Sequence, residues 1–275
     1  MLYGGTTWGY MPFPGVYTSY DYGAALTETR RLTNKYEELK RQGLFLRSVP
    51  EFYAADVVGN STDSESHPTV RVSDPTVFGT LLRNDATGAE FYIVRHLDST
   101  SNSTTNFRLH FAPSHSDAPS TPRSVPLTLP SITLSGRASK VLLRNVAFGS
   151  SRLAWSTASL FYAGKMGAQD VLFLCGPSAE GHEFALPLGN DNQPVRAQVS
   201  RHISISQHDP KSPLSIVTVL PGNVGLTTVF ESAEQLVLFA DSDTAGGFWA
   251  PGLTHREEGM RLNTRESLSL ISNAP

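Results

Sequence analysis

This chain has little of what most functional motifs are made of. It holds one cysteine, Cys175, among 275 residues, so no intrachain disulfide can form. Cys175 ends the apolar run Val171-Leu172-Phe173-Leu174-Cys175 and reads as a buried core thiol. Charged residues are 17% of the chain, below the usual quarter, and the formal net charge is −3. No basic field exists to hold a phosphate backbone, which excludes nucleic acid as a partner. No apolar run is long enough for a membrane-spanning helix. The first residues also lack the basic region and apolar core of a signal peptide.

Catalytic and metal motifs are equally scarce. His182 and Glu183 are adjacent rather than part of a His-Glu-x-x-His pattern, and His202 and His208 have no cysteine nearby. No metal site and no cofactor are expected. Gly149-Ser150-Ser151-Arg152 is not a nucleophile elbow, and no Gly-x-Ser-x-Gly occurs. Gly4, Gly5 and Gly9 do not make a phosphate loop, which needs a Gly-Lys-Ser/Thr ending.

What the chain does have is strand-forming sequence. After Pro50, short β-branched and aromatic runs recur at 70–72, 91–95, 107–111, 140–143, 159–162, 171–175, 183–188, 198–205, 215–219 and 235–240. Turn-like pieces at 84–88, 189–192 and 241–243 separate some of them. Phe107, Leu109 and Phe111 alternate with Arg108 and His110, as in a half-buried strand. Proline-rich sequence near 119–126 reads as a surface connection. One helix is expected before Pro50, at about 34–47. Asn34 and Glu37 have capping-box spacing; Tyr36, Leu39, Gly43 and Leu46 share one face, and Lys40 faces away. The fold class is therefore mainly β: a short helical segment, then a large antiparallel multi-strand domain.

The densest chemistry lies at the start. Gly4-Gly5-Thr6-Thr7-Trp8-Gly9 is followed by Thr18-Ser19-Tyr20-Asp21-Tyr22-Gly23. Tyr22 is the candidate ligand contact, because a tyrosyl ring offers a sugar an apolar face and a hydroxyl. Trp8 is a candidate pocket wall. Asp21 reads as a loop carboxylate that bonds backbone N–H groups, and Glu28 as a solvated or helix-entry charge. Asn60-Ser61-Thr62 and Asn102-Ser103-Thr104 match the N-glycosylation acceptor pattern in loop-like sequence.

The packet from Gly4 to Leu26 resembles the large fungal-type β-galactosidases of glycoside hydrolase family 35. Lys35–Lys40, Phe91–His96, Leu134–Arg137, Gly181–Glu183 and Asp241–Pro251 extend the likeness. The resemblance implies that residues 1–50 are the C-terminal remnant of a (β/α)8 catalytic barrel, and that 51–275 form the β-rich domain behind it. It places the 17–26 loop above the sugar site and assigns Tyr22 to sugar contact. Family enzymes retain anomeric configuration using two glutamates. Both would lie upstream and have no counterpart here, as would a second sugar-contacting tyrosine. Thr7 stands where the family commonly has Asn. The expectation is a piece of a secreted, monomeric β-galactosidase that is inactive alone, with the galactoside bound only by the full-length parent. Residues 1–47 are then expected to pack loosely or be poorly ordered. The alternative is a non-catalytic module that binds carbohydrate or docks on a protein, with Trp155, Tyr162 and Trp249 as its aromatic platform.

Overall fold

The computed structural model describes residues 2–7, 19, 21–113, 123–188, 201–207, 214–249 and 271–272, with backbone alone at 249 and 271–272. Helix α1 (Asn34–Ser48) opens the regular structure. Its sequence is rich in helix formers, with Glu37 in the first turn and Arg47 in the last, matching the helix dipole. The capping box does not form. Asn34 is already helical, and the N-cap is Thr33, whose side chain makes no cap bond. Thr33 Oγ1 instead donates to the carbonyls of Ala24 and Ala25, each at 3.1 Å. The helix ends at Val49, whose N–H bonds Phe45 O at 3.0 Å, and a 3₁₀ turn over Pro50–Ala54 follows.

The first part of the β domain runs β1 (Asp56–Asn60), β2 (Arg71–Val72), β3 (Val77–Asn84), β4 (Ala89–His96), β5 (Thr104–Phe107), β6 (Leu109–His110), β7 (Ser124–Val125) and β8 (Ile132–Ser135). It continues with β9 (Ser139–Phe148), β10 (Ser151–Ser156), β11 (Ser159–Met166), β12 (Gln169–Gly176) and β13 (His182–Pro187). The last described part holds β14 (Ile203–Gln207), β15 (Leu214–Val219), β16 (Leu226–Glu231), β17 (Gln235–Asp241), a short helix α2 (Ser242–Gly246), β18 (Phe248–Trp249) and β19 (Ile271–Ser272).

Eight strands form one sheet in the order β1-β3-β4-β9-β10-β13-β15-β14. Four form a second in the order β11-β12-β17-β16, where the β12–β17 pair is parallel and its neighbours antiparallel. Between the sheets sits the main core, with Phe91, Phe148, Leu172, Phe184 and Phe239 fully buried. The run 107–111 is not one strand: β5 pairs with β8, and β6 pairs with β2 and β7. Asn60 is the last residue of β1 rather than part of a loop. Of the run 198–205, only the part from 201 lies within the described residues, and strand begins at Ile203.

Helix α1 is docked on the β domain, against the expectation of loose packing. Leu44 is 4% exposed and joins a cluster with Phe161, Phe173, Cys175 and Ala245. Phe45 meets Phe52 edge-on at 5.3 Å and Phe91 at 6.3 Å, which ties the helix to the main core. Two such aromatic contacts add about 0.5–1.5 kcal/mol each beyond area burial. The thiol of Cys175 is buried, and burial pushes its pKa up.

His182 is a buried histidine with a consequence for stability. It is 2% exposed, its ring lies tilted against Phe239 at 5.5 Å, and its Nε2 lies 3.1 Å from Pro177 O. Burial lowers its pKa from 6.5 to about 4. Between those values the unfolded state takes up the proton and the native state does not, so stability falls as pH drops from 6.5 towards 4. The full loss from this group is roughly 3 kcal/mol. Urea midpoints measured across that window should fall with acidification, and His182→Gln should flatten the slope.

Candidate functional site

The candidate site is the loop between the first residues and α1. Leu2–Thr6 runs beside it as an abbreviated strand. Tyr3 bridges Leu26 in parallel, with Gly4 N donating to Leu26 O at 2.6 Å and Leu26 N to Leu2 O at 3.2 Å. Thr6 bridges Ser19. Glu28 is not simply solvated, because Thr6 Oγ1 donates to its Oε2. Asp21 accepts the Glu28 N–H at 2.6 Å through Oδ1 and so closes the loop on itself. Gly4 is required beside it: a Cβ there would stand 1.7 Å from Asp21 Oδ1.

Tyr22 follows, 64% exposed and at φ 38°, with Gly23 at φ 75°. A glycine adopts this left-handed region freely; an aromatic residue does so at a cost of about 1–2 kcal/mol. The loop therefore holds a large aromatic side chain outward on a strained backbone. Next to it is an open hollow of about 760 Å³, lined in part by Asp21, Gly23, Thr27, Arg31 and Lys35. Ala24 and Ala25, both buried, anchor the loop beneath. Trp8 lies outside the described residues.

A second cleft of about 590 Å³ separates the first half of α1 from the β domain. Glu37, Glu38 and Arg41 face it from the helix; Lys140, Glu180 and Asp243 face it from the other side. Lys140 and Glu180 form an ion pair there at 2.5 Å. Among the described residues, no group of three or more His, Cys, Asp or Glu side chains could hold a metal ion.

The proposed aromatic platform is not on the surface. Trp155 is 3% exposed and donates through Nε1 to Glu183, and Tyr162 is 4% exposed. The side chain of Trp249 lies outside the described residues.

Two family profiles match this arrangement. One, described as glycosyl hydrolases family 35, matches residues 1–44, the loop and most of α1. The other, described as β-galactosidase, domain 2, matches residues 60–248, the described β domain almost entire.

The chain belongs to the β-galactosidases of glycosyl hydrolases family 35.

Curated family relatives agree. The probable β-galactosidase A of Neosartorya fischeri is 34% identical over 92% of this chain, and that match covers 24% of the relative. The β-galactosidase A of Aspergillus niger is 32% identical over 98% of the chain and 25% of its own length. The chain thus spans about a quarter of the length of the curated relatives it matches.

Lys40, expected to face away, has a side chain only 10% exposed. Its Nζ donates to Gly246 O and pairs with Glu37 at 2.6 Å. Helical spacing cannot reveal a partner 206 positions away.

Proposed function

We propose that this chain supplies the sugar-facing loop and the second domain of a retaining β-galactosidase acting on terminal non-reducing β-D-galactose residues. In this reading residues 1–50 complete a (β/α)8 catalytic barrel and 51–275 form the domain behind it. The catalytic glutamates belong to other parts of the family-length enzyme, so this chain does not hydrolyse galactosides alone. The observation that carries the proposal is Tyr22, an exposed aromatic held at positive φ on a loop closed by Asp21. A strained backbone that presents a side chain outward is a signature of a ligand-contacting position. The buried glutamates support the second half. Glu90 and Glu183 are saturated by internal donors and line neither cavity, and Glu180, which does face the second cleft, is paired with Lys140.

A chimera tests this: the upstream region of the A. niger enzyme fused ahead of Leu2. It should hydrolyse a chromogenic β-galactoside, and Tyr22→Ala should lower kcat/KM by roughly ten- to a hundredfold, equivalent to about 1.4–2.7 kcal/mol. An unchanged kcat/KM in a folded Tyr22→Ala chimera would remove the sugar-contact role.

The same reading makes the family-length parent a secreted monomer, with Asn60 and Asn102 as glycan acceptors. Asn102 is exposed, while Asn60 is half-buried and its Oδ1 accepts from Thr62 N at 2.7 Å. Intact mass before and after glycosidase treatment, on protein from a secreting eukaryotic host, decides each site.

A further inference from the structure

Lys40 connects the two parts of the chain that the family profiles match separately, and it lies where it can set the position of the Tyr22 loop. The connection has three links. First, the loop is hooked to the start of α1: Thr33 N donates to Ala25 O at 3.0 Å, and Thr33 Oγ1 to Ala24 O and Ala25 O. Second, the apolar anchors of α1 lie towards its end, at Leu44 and Phe45, while Asn34, Glu37, Glu38 and Arg41 border the 590 Å³ cleft. Third, the helix is tied across that cleft. Lys40 Nζ donates to Gly246 O at the C-terminal end of α2, where a helix leaves carbonyls without intrahelical partners. Arg41 also reaches Cys175 on β12 and Glu37 lies beside Gly246; Lys40 supplies the hydrogen bond that joins α1 to α2.

The α2 end of this tie is itself held by hydrogen bonds and packing. Asp241, the last residue of β17, accepts from Asp243 N and Thr244 N at 3.1 Å each, and from Gly225 N at 2.6 Å. Ala245 packs in the same cluster as Leu44. A cation on a flexible four-carbon stem suits a carbonyl target near a helix end, and Glu37 beside it keeps the charge compensated.

We propose that Lys40 is a positioning residue, which caps α2 to fix the first half of α1 and thereby the placement of the Tyr22 loop. The second domain would then set the geometry of the sugar-facing loop. The functional meaning rests on Tyr22 contacting sugar; the mechanical claim does not, because it can be read without any ligand.

Hydrogen exchange on the chain itself provides the test. Residues 24–33 carry bonded amides at Ala24, Leu26, Thr27, Arg30 and Thr33. Lys40→Met keeps the apolar stem and removes the donor. It should speed exchange in this segment about tenfold and leave β4, β9 and β12 unchanged. Lys40→Arg should restore protection. Asp241→Asn, which weakens α2 from its other end, should speed the same segment by a smaller factor. Unchanged exchange over 24–33 in Lys40→Met would overturn the proposal. So would equal acceleration in the strands, or no rescue by Lys40→Arg. The chimera assay of Tyr22 succeeds or fails independently of these results.

Discussion

Glu183→Ala should destabilise the β domain by about 2–4 kcal/mol through lost hydrogen bonds, lowering the thermal midpoint by on the order of 10 °C. Glu183 is completely buried and sits on β13, an interior strand of the large sheet between β10 and β15. Its carboxylate oxygens accept from Leu127 N at 2.7 Å, Thr128 N at 2.6 Å, Thr128 Oγ1 at 2.7 Å and Trp155 Nε1 at 3.2 Å. Removing it takes the acceptor from the buried Trp155 indole and from the part-buried Leu127 and Thr128 donors at once, and each buried unsatisfied group costs about 1–3 kcal/mol. Glu183→Gln keeps one acceptor oxygen and should cost less. Differential scanning calorimetry of the three proteins checks the order. A loss under about 1 kcal/mol for Glu183→Ala would mean that the 127–128 segment finds other acceptors.

The second large effect is expected at Glu90. Its carboxylate receives Arg83 Nε at 2.9 Å, Arg144 Nη1 at 3.0 Å and the Tyr92 hydroxyl at 2.8 Å. That hydroxyl in turn accepts Ala112 N at 3.0 Å. Burial, followed by the Glu90 charge, raises the Tyr92 pKa above its ordinary value, so the phenol stays protonated and donates. Glu90→Ala would take the Glu90 carboxylate away from the Arg144 guanidinium, whose side chain is 6% exposed. A buried pair broken on one side costs about 3–5 kcal/mol, whereas an exposed pair such as Arg41–Glu38 is worth under about 1 kcal/mol. The double variant Glu90→Leu/Arg144→Met should recover much of the loss, since both charges leave together. Chemical denaturation of the full cycle reads the coupling. Strict additivity of the two single losses would contradict the network.

The secondary structure was legible where one period dominated. The helix over 34–47 and strands such as 171–175 and 235–240 follow from apolar spacing, and the structure holds them within a residue or two. Strands were missed where a glycine or polar residues interrupt the pattern. β3 contains Gly79, which breaks the run of strand-forming residues. It is needed because Val70 packs against that backbone: a Cβ would stand 2.8 Å from Val70 Cγ1. β10 is Ser-Arg-Leu-Ala-Trp-Ser, with its apolar side chains sorted to a core that only the tertiary fold defines. The split of 107–111 between two sheets has the same origin, since alternation reports burial and not pairing.

At the candidate site, local sequence signalled Tyr22 and Asp21, because loop glycines, an aromatic and a carboxylate stood together. The strained φ of Tyr22 and the steric need for Gly4 beside Asp21 emerge only in three dimensions. Lys40 was hidden for a different reason. On a helical wheel it belongs to the polar face, and its role depends on a carbonyl supplied by a distant short helix. Trp155 and Tyr162, for which core packing is the favoured reading over a surface platform, are both buried.

The most direct test of the account is a galactosidase assay on the purified chain alone, with p-nitrophenyl β-D-galactopyranoside as substrate. The account predicts nitrophenol release no faster than in buffer, while the family-length chimera turns over. Hydrolysis that co-purifies with the folded chain would contradict it, because the catalytic carboxylates would then have to lie within these residues.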